Sequence, residues 1–343
     1  MSKLFASIAG VSNPFNIQVT SAHNAPTSTA NIQCLSTSKD VGDAIAIDLG
    51  YVGNHSQVFQ GYVKQVEHQV PEDTWSLTCV DVMIRAIDYF IAAADPANPY
   101  KIDKIKAEDL VKVLLAMAGL PLDNKDNTHF TFATVNTAEV NLVTVYDQIR
   151  VIADLLTWSI YADEQGETYF VNRKPYIMST NPANPGWDQV GMKNDVPSYT
   201  VSDLLGQVLQ STLVVSERDL RNKVVIYGAA QSHGEAKEKK SYNPLTGLMV
   251  PVLPDGYYKT AVGASPLIDP ATCTEIAEYN LALYNRLGIN VQAQWIGDPK
   301  YKARTVVTYT DSYNSISAVD FYVYMVEHQW SNAGYTTNVE LRK

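Results

Sequence analysis

Apolar and polar residues alternate in two separate parts of this chain. Residues 44–51, AIAIDLGY, place apolar side chains at every second position, which is the pattern of a strand with one buried face. The stretch 62–70, YVKQVEHQV, follows as a further strand, and the turn residues PEDT separate it from a return strand that ends at Asp81. This pattern predicts an antiparallel hairpin unit over residues 42–81.

The same pattern returns 260 positions later, where residues 322–330 read YVYMVEHQW. Because a one-residue slip would move every side chain to the opposite face, a shared phase over several strands indicates a duplication. We therefore expect residues 42–81 and 302–341 to share one strand order, with His68 equivalent to His328. The expected equivalences, without a gap, are Thr305, Val307 and Tyr309 for Ile45, Ile47 and Leu49, and Tyr335, Thr337, Val339 and Leu341 for Trp75, Leu77, Cys79 and Asp81.

Helical spacing dominates the middle of the chain. Apolar residues recur at helical intervals over 81–94, 106–118 and 144–156. Thr144 is a candidate N-cap for the third of these helices. Residues 158–172, WSIYADEQGETYFVN, then indicate a strand, a glycine turn and a second strand, so this part of the chain is predicted to be α+β.

The C-terminal half returns to strand patterns before the second hairpin unit. Residues 212–228 hold two β-rich runs around a polar bend. Residues 231–247, QSHGEAKEKKSYNPLTG, show no periodicity and are expected to form a mobile loop or an insertion. A helix is predicted over 269–287, because Pro270 lies at its start and Gly288 just beyond its end.

The composition favours contacts with other proteins over contacts with nucleic acid. The chain is 46% hydrophobic and 18% charged, below the ~25% that is typical of globular domains, and it contains 21 tyrosines. Its formal net charge of -10 argues against sequence-independent binding of phosphates, which requires clustered Lys and Arg. Nucleic acid is therefore not expected as a bound ligand.

No motif for catalysis, cofactor binding or metal binding is present. Phosphate loops, GxGxxG, HExxH and GxSxG are all missing. His233-Gly-Glu235 matches half of the deaminase zinc signature, but no PCxxC follows it. His68 and His328 are expected to be packed or interface histidines, because a metal site would need further ligands from other strands. We expect no catalytic residue, no cofactor and no metal.

The remaining signals favour a soluble protein in a reducing compartment. Cys34, Cys79 and Cys273 are odd in number and widely spaced, so buried free thiols are expected. The N-terminal residues lack a signal-peptide pattern. The longest apolar run, Val113–Leu122, is interrupted and too short to cross ~30 Å of hydrocarbon.

Three consecutive segments resemble a known family. VGDAIAIDLGY, VFQGYVKQVEH and WSLTCVD follow the order of a GD-led strand, an F-x-G-x-V strand and a hairpin that ends before a helix. This order resembles the N-terminal β-barrel of phage baseplate hub proteins, which also occurs in late-control proteins of contractile tails and at the N-terminus of type VI spike proteins. The matching positions are Gly42, Asp43, Phe59, Gly61 and Val63.

The likeness extends to the C-terminal part with two departures. Residues 217–228, 295–310 and 326–342 resemble the strands of the second hub barrel. Lys302-Ala303 stands where the first copy has Gly42-Asp43, and Phe321 replaces Gly61. These departures concern the strand boundaries rather than the duplication.

The resemblance implies a β-rich α+β fold with two similar, tail-tube-like antiparallel β-barrels and an α+β domain between them. It implies that the two barrels alternate around a ring. The expected divisions are a first tube-type barrel with a following helix (1–95), an α+β middle domain (96–205), a second tube-type barrel (206–230 and 301–343) and an inserted loop and helix (231–300).

The function that the resemblance implies is structural. Three subunits with two barrels each would form a pseudo-six-fold ring in the tail baseplate of the virion, assembled in the host cytoplasm. The ring would adapt a six-fold tail tube to a three-fold central spike and let DNA pass. The implied partners are other copies of the chain (a homotrimer), the tail tube protein, the central spike protein and other baseplate proteins, with no membrane anchor.

The ring contacts are expected in the hairpins 62–79 and 322–339, because hairpin edges invite pairing with a neighbouring chain. Trp330 is a candidate buried anchor of such a contact. The candidate interface residues are Tyr62, Val66, His68, Val70, Tyr322, Tyr324, Val326, His328 and Trp330.

Other functions remain open from the sequence. Another tail ring component, such as a tube or distal-tail protein, would share the barrel. A β-rich hydrolase would need a pocket with convergent carboxylates whose pKa values are strongly perturbed. A carbohydrate-binding or receptor-binding module would expose aromatic side chains on a monomer surface. These alternatives predict different surfaces and oligomeric states.

Overall fold

A computed structural model shows two compact units. The first contains Met1–Asn172, Gly297–Tyr301 and Glu327–Thr337, and the second contains Arg173–Ile296, Lys302–Val326 and Asn338–Lys343. The structure describes residues 3–23, 25–91, 101–127, 131–136, 143–156, 158–171, 197–215, 221, 223–227, 233–237, 241–242, 249–250, 260–264, 273, 277, 280 and 289–342.

Strands outnumber helices in both halves of the chain. The N-terminal half contains β1 (Leu4–Ile8), β2 (Val11–Ala22), β3 (Thr29–Thr37), β4 (Ala44–Tyr51), β5 (Asn54–Gln69), β6 (Thr74–Asp81), α1 (Ile84–Asp88), β7 (Lys101–Lys106), α2 (Ala107–Met117), β8 (Asn124–Lys125), β9 (Thr131–Asn136), α3 (Val145–Leu156), β10 (Ser159–Ala162) and β11 (Thr168–Val171).

The C-terminal half follows with short strands and one long hairpin. It contains β12 (Tyr199–Ser202), a 3₁₀ turn (Asp203–Leu205), β13 (Val208–Val215), β14 (Lys223–Tyr227), β15 (His233–Lys237), β16 (Ser241–Tyr242), β17 (Met249–Val250), β18 (Thr260–Ala264), β19 (Ile289–Ile296), β20 (Val306–Asp311), β21 (Ile316–Ser331) and β22 (Gly334–Arg342).

The first unit is built on an antiparallel sheet with the strand order β1-β4-β5-β6-β3-β2. β2 also pairs with β21, whose last residues belong to this unit. Apolar side chains at alternate positions form the core of this sheet, as the period of two requires. The sheet core includes Ile17, Ile32, Ile47, Leu49, Phe59 and Leu77.

A second core in the same unit is helical. The apolar stripes of α2 and α3 pack together with residues of β10 and β11, among them Leu115, Ile149 and Phe170. The predictions of helices at 106–118 and 144–156 are confirmed. The Thr144 hydroxyl caps α3, because it accepts a hydrogen bond of 3.0 Å from the Asp147 N–H.

The first predicted helix is shorter than expected. Helical spacing covers residues 81–94, of which the structure describes 81–91, and α1 spans only Ile84–Asp88 within these. Tyr89 is extended and Phe90 forms an isolated bridge to Thr144, so tertiary pairing ends the helix early. The predicted strand, turn and strand over 158–172 are confirmed as the antiparallel pair β10 and β11.

The second unit contains a sheet in which β20 pairs with β12 on one side and with β21 on the other, followed by β22, β19 and β13. The β12–β20 pair is parallel. A separate three-stranded sheet has the order β15-β14-β18. Within 231–247, expected to be a mobile loop or an insertion, His233–Lys237 is a strand that pairs along its whole length with β14, so this part is not a mobile loop. The other described part of this segment is β16.

The predicted helix at 269–287 is largely outside the described residues. Cys273, Ala277 and Asn280 are described and helical. In the part of the chain that the structure describes, no helix is long and apolar enough to cross a membrane.

The β-rich class is confirmed, with large antiparallel sheets and few helices. Among the described residues, the strand pairings do not close into a ring in either unit, so closed barrels are not observed. The division into two units is coarser than the predicted divisions 1–95, 96–205, 206–230 with 301–343, and 231–300, which stay a prediction.

Candidate assembly surfaces of the duplicated strands

The duplicated segments have the same strand order. β4, β5 and β6 are consecutive neighbours in one sheet order, and so are β20, β21 and β22. The return strands are also in phase, as expected. The inward positions of β6 are Leu77, Cys79 and Asp81, and those of β22 are Tyr335, Thr337, Val339 and Leu341.

The leading strands differ in register by two residues. Ala44 lies opposite Tyr62 in the first copy, whereas Val306 lies opposite Tyr322 in the second. The expectation of an alignment without a gap is therefore wrong at the leading strand. A shift of two preserves the inward and outward faces, which explains why the alternation alone did not show it.

This shift also accounts for the departure at the GD motif. The Gly42 N–H donates to the Val63 carbonyl at 2.8 Å, and the Arg304 N–H donates to the Val323 carbonyl at the same distance. Gly42 and Arg304 both have positive φ, 94° and 65°. Arg304, not Lys302, is thus the structural counterpart of Gly42.

Steric exclusion explains why glycine occupies position 61 in the F-x-G-x-V strand. A Cβ on Gly61 would lie 2.0 Å from the carbonyl oxygen of Val80 on the neighbouring strand. Phe321 stands at this position in the second copy and is buried with its ring edge-on to Tyr309, at a centroid distance of 6.1 Å. The two copies therefore fill the same position with different packing.

A bulge in β5 changes the expected strand face. The register shifts between Val63 and Gln65, so Tyr62 and Val66 do not share a face as strict alternation would require. Tyr62 packs against the helical core, whereas Val63 and Val66 contact the sheet core. Tyr62 therefore lies on a different face from Val66 and His68, although strict alternation along 62–70 would group the three.

His68 lies on the surface near the tip of the first hairpin. Its Nε2 is 2.8 Å from a carboxylate oxygen of Asp73, and its ring stacks on Trp75 with a centroid distance of 4.4 Å. His68 and Asp73 are exposed, Trp75 is half-buried, and all three belong to one hairpin. It offers a flat aromatic surface with one carboxylate.

His328 is buried and has a different set of partners. Its Nε2 lies 3.0 Å from the carbonyl oxygen of Tyr301, which can only accept, so this nitrogen donates. Its Nδ1 then accepts from the Tyr335 hydroxyl at 2.8 Å and from the Thr337 hydroxyl at 3.3 Å. His328 is therefore a packed histidine bonded to backbone, one of the two roles expected for it.

Tyr335 joins this histidine to the sheet core of the first unit. Its ring lies 6.0 Å from the ring of Tyr51, and both Tyr335 and Trp330 belong to the sheet core. Burial and, secondarily, the nearby Asp298 carboxylate raise the pKa of Tyr335 well above its ordinary value. A Cβ on Gly297 would lie 2.3 Å from the Tyr335 ring, so this glycine gives the ring its space.

The nine predicted interface residues have very different accessibility. Four of them are buried within their own chain: Tyr322, Val326, His328 and Trp330. Trp330 in particular packs in the sheet core of the first unit, and its role as an anchor of a ring contact stays a prediction. The others are half-buried or exposed: Tyr62, Val66, His68, Val70 and Tyr324.

The structure also describes the three cysteines and the strand that carries His233 and Glu235. Cys34, Cys79 and Cys273 are buried and form no disulfide, as predicted. Burial raises the pKa of Cys79 to about 12. His233 and Glu235 lie in β15, and no group of three possible metal ligands occurs among the described residues.

Several solved structures share this architecture. The tail protein from Neisseria meningitidis MC58 superposes with a TM-score of 0.71 at 12% identity, over 99% of this chain and 97% of that chain. The prophage MuSo2 43 kDa tail protein from Shewanella oneidensis gives a TM-score of 0.67 at 11% identity, over 99% and 96%. This chain has the fold of phage tail proteins.

A type VI secretion component also has this fold. The c3393 protein of E. coli, which its structure relates to the T4 bacteriophage tail proteins gp27 and gp5, gives a TM-score of 0.54 at 7% identity, over 98% of this chain and 76% of that chain. No protein-family model and no curated protein sequence matches the chain. The similarity to these solved structures is a similarity of fold, at sequence identities of 7% to 12%.

Sequence reasoning missed one exposed surface in the second unit. Leu204 and Leu205, in the sequence SDLLGQ, lie in the 3₁₀ turn and are exposed, and Tyr313 is the most exposed of the large hydrophobic residues that the structure describes. Two leucines between a capping Ser-Asp and a glycine could have indicated a solvent-facing turn. Nothing in the sequence connects that turn with Tyr313.

Proposed function

We propose that this chain is a structural component of a phage tail, namely the baseplate hub. The observation that carries the proposal is the internal duplication of a three-stranded unit within a fold shared with phage tail proteins. A duplicated unit lets three chains present six similar surfaces, which suits a junction between six-fold and three-fold parts. No catalytic role is proposed.

The proposed assembly is a homotrimeric, pseudo-six-fold ring built from two tube-like units per chain. The two copies differ in leading-strand register and at Gly61 and Phe321, so neighbouring contacts around the ring would alternate between two kinds. Identical copies would allow a true hexamer, whereas unequal copies favour three two-unit chains. The proposed partners are the six-fold tail tube, the three-fold central spike and other baseplate proteins.

One solved structure supports a place for this chain among tail components. The E. coli c3393 protein is a type VI secretion component with similarity to the tail proteins gp27 and gp5. By analogy, we place the present chain at the junction of tube and spike in the virion, where DNA would pass through the ring. The net charge of -10 suits such a passage, because a cationic wall would hold phosphates.

The oligomeric state tests the proposal. Native mass spectrometry and cryo-EM of the purified chain, alone and with its tail partners, should show three copies in one ring with six similar peripheral units. A ring of six chains would instead favour a tube or distal-tail protein. A chain that stays monomeric even with its partners would remove the basis of the adaptor.

A further inference from the structure

Two turns of the second unit hold three apolar side chains in solvent. Leu204 and Leu205 are 76% and 72% exposed, and Tyr313 is 93% exposed. We call these three residues the apolar knob. Exposed side chains of this size in one place usually mark a contact surface.

The knob is held in place by hydrogen bonds and is not a loose loop. Within the 3₁₀ turn, the Ser202 hydroxyl accepts from the Leu204 N–H at 3.1 Å. The Asp203 carboxylate accepts from both the N–H and the hydroxyl of Ser312, which ties this turn to the one that carries Tyr313. The Asp311 carboxylate in turn accepts from the Tyr313 N–H at 3.1 Å. A surface held in advance loses little entropy on binding.

The first unit contains a groove whose character is complementary. It has a volume of about 460 Å³ and is lined in part by Val41, Tyr62, Lys64, Arg85 and Tyr89. Its rim is apolar and accessible, because Val41 is 64% and Tyr89 45% exposed. The groove thus combines apolar side walls with an open mouth, as a site for protruding apolar side chains requires.

The charges around the knob and the groove are also complementary. The groove lining carries Arg85, whose guanidinium lies 4.5 Å from the centre of the Tyr62 ring, and Lys64, which pairs with Asp88 at 2.5 Å. It therefore has two positive charges and one negative charge. The carboxylate beside the knob is Asp203, which is partly exposed, whereas Asp311 is 1% exposed and faces the interior of its own chain.

We propose that the apolar knob of one copy inserts into the groove of the next copy, and that this contact builds the ring. The inference rests on the proposed function, because it takes the partner to be a second copy of this chain. A contact between two different surfaces of one chain is heterologous, and heterologous contacts generate closed rings when the rotation closes. Tyr62, already a candidate interface residue, lies in the groove.

Mixed cross-linking tests the contact directly. One batch of full-length chain carries Leu205→Cys and a second, differently tagged batch carries Val41→Cys, since the native cysteines Cys34, Cys79 and Cys273 are buried. Mild oxidation of the mixed batches should give a covalent heterodimer that reductant reverses. A control mixture of Leu205→Cys with Val151→Cys, an exposed position on α3, should give at least tenfold less.

Charge insertion provides a second measurement. Leu204→Asp should weaken self-association at least tenfold in light scattering, because it places a charge in the desolvated centre of the contact. Val151→Asp, at a position that is 62% exposed, is the matched control and should leave association unchanged. Circular dichroism shows whether each variant is folded. If Leu204→Asp does not fold, the cross-linking experiment still tests the contact, because it uses only the cysteine variants.

The outcomes separate this inference from the proposed function. A trimer that forms without the cross-link, or with Leu204→Asp at full strength, would overturn the knob contact and leave the hub proposal standing. A cross-linked ring of another size would support the contact and contradict the trimer. Absence of both association and cross-link, even with tail partners, would overturn both.

Discussion

At the scale of single residues, two equivalent histidines differ in their surroundings. His68 stays on the surface and contacts Asp73, whereas His328 is enclosed by Tyr301 and Tyr335. Because a buried polar group costs free energy unless it is hydrogen-bonded, the enclosed histidine needs a partner at each ring nitrogen. The same four letters, VEHQ, therefore describe two sites with different chemistry.

Trp330 should contribute strongly to stability. Trp330→Ala is expected to lower the free energy of unfolding by about 3 kcal/mol, since large aromatic truncations in cores cost ~3–5 kcal/mol and the indole N–H has no hydrogen-bond partner among the described residues. Denaturant unfolding measures this. Trp330→Phe should lose less stability than the alanine variant, because its single ring keeps part of the packing. A loss below about 0.5 kcal/mol for the alanine variant would contradict the burial.

The Cys79 thiol should make stability depend on alkaline pH. Burial raises the pKa of Cys79 from 9.0 to about 12, so its contribution is complete below pH 9 and is lost as the pH rises from 9 towards 12. Between pH 7 and pH 10 the wild type should lose about 1.4 kcal/mol more stability than Cys79→Ala does. Unfolding titrations at both pH values measure the difference, and equal losses would contradict it.

At the scale of elements, the two hairpin units show which features alternation controls. The inward phase is common to β6 and β22, yet the register between β4 and β5 differs by two residues from that between β20 and β21. Hydrophobic burial distinguishes one face of a strand from the other but does not distinguish shifts by two. Backbone hydrogen bonds at Gly42 and Arg304 set the register instead.

Gly61 should be essential to the β5–β6 pairing. Gly61→Ala places a Cβ 2.0 Å from the Val80 carbonyl oxygen, so the strands must separate locally, at a cost of at least about 2 kcal/mol. Gly334→Ala is the matched control, because no heavy atom lies within 4 Å of the Cβ it would add. Thermal unfolding compares the two variants, and equal midpoints would show that the strand accommodates the methyl group.

At the scale of the whole molecule, residues far apart in sequence share one core. Trp330 and Tyr335 pack with Cys34 and Cys79 in the sheet core of the first unit. The N-terminal sheet is therefore complete only when residues near the C-terminus have folded onto it. Such long-range contacts slow folding, because the intervening chain must close first.

This shared core predicts a coupling that thiol labelling can detect. Trp330→Ala should speed labelling of Cys34 and Cys79 about 100-fold. A loss of ~3 kcal/mol in stability increases the population of the open, reactive state by about that factor. Cys273 lies in the second unit and should label at its wild-type rate. Peptide mass spectrometry after pulse labelling reads each site, and unchanged rates at Cys34 and Cys79 would contradict the shared core.

The sequence by itself determined the local features of this protein. Alternation predicted the duplicated strands and the common phase of their return strands, and helical periodicity predicted α2, α3 and the Thr144 cap. These features follow from which side chains face water and from local hydrogen bonds. Both are encoded within a few residues of each position.

Tertiary structure alone decided the register, the bulge and the environment of each copy. It shortened the first predicted helix to Ile84–Asp88, paired His233–Lys237 with a neighbouring strand, and buried His328 and Trp330 while leaving His68 exposed. It also brought Leu204 and Leu205 beside Tyr313, about a hundred residues later in the chain. Each of these depends on a partner from a distant part of the chain, and a pattern read along the sequence contains no information about which distant segment that partner comes from.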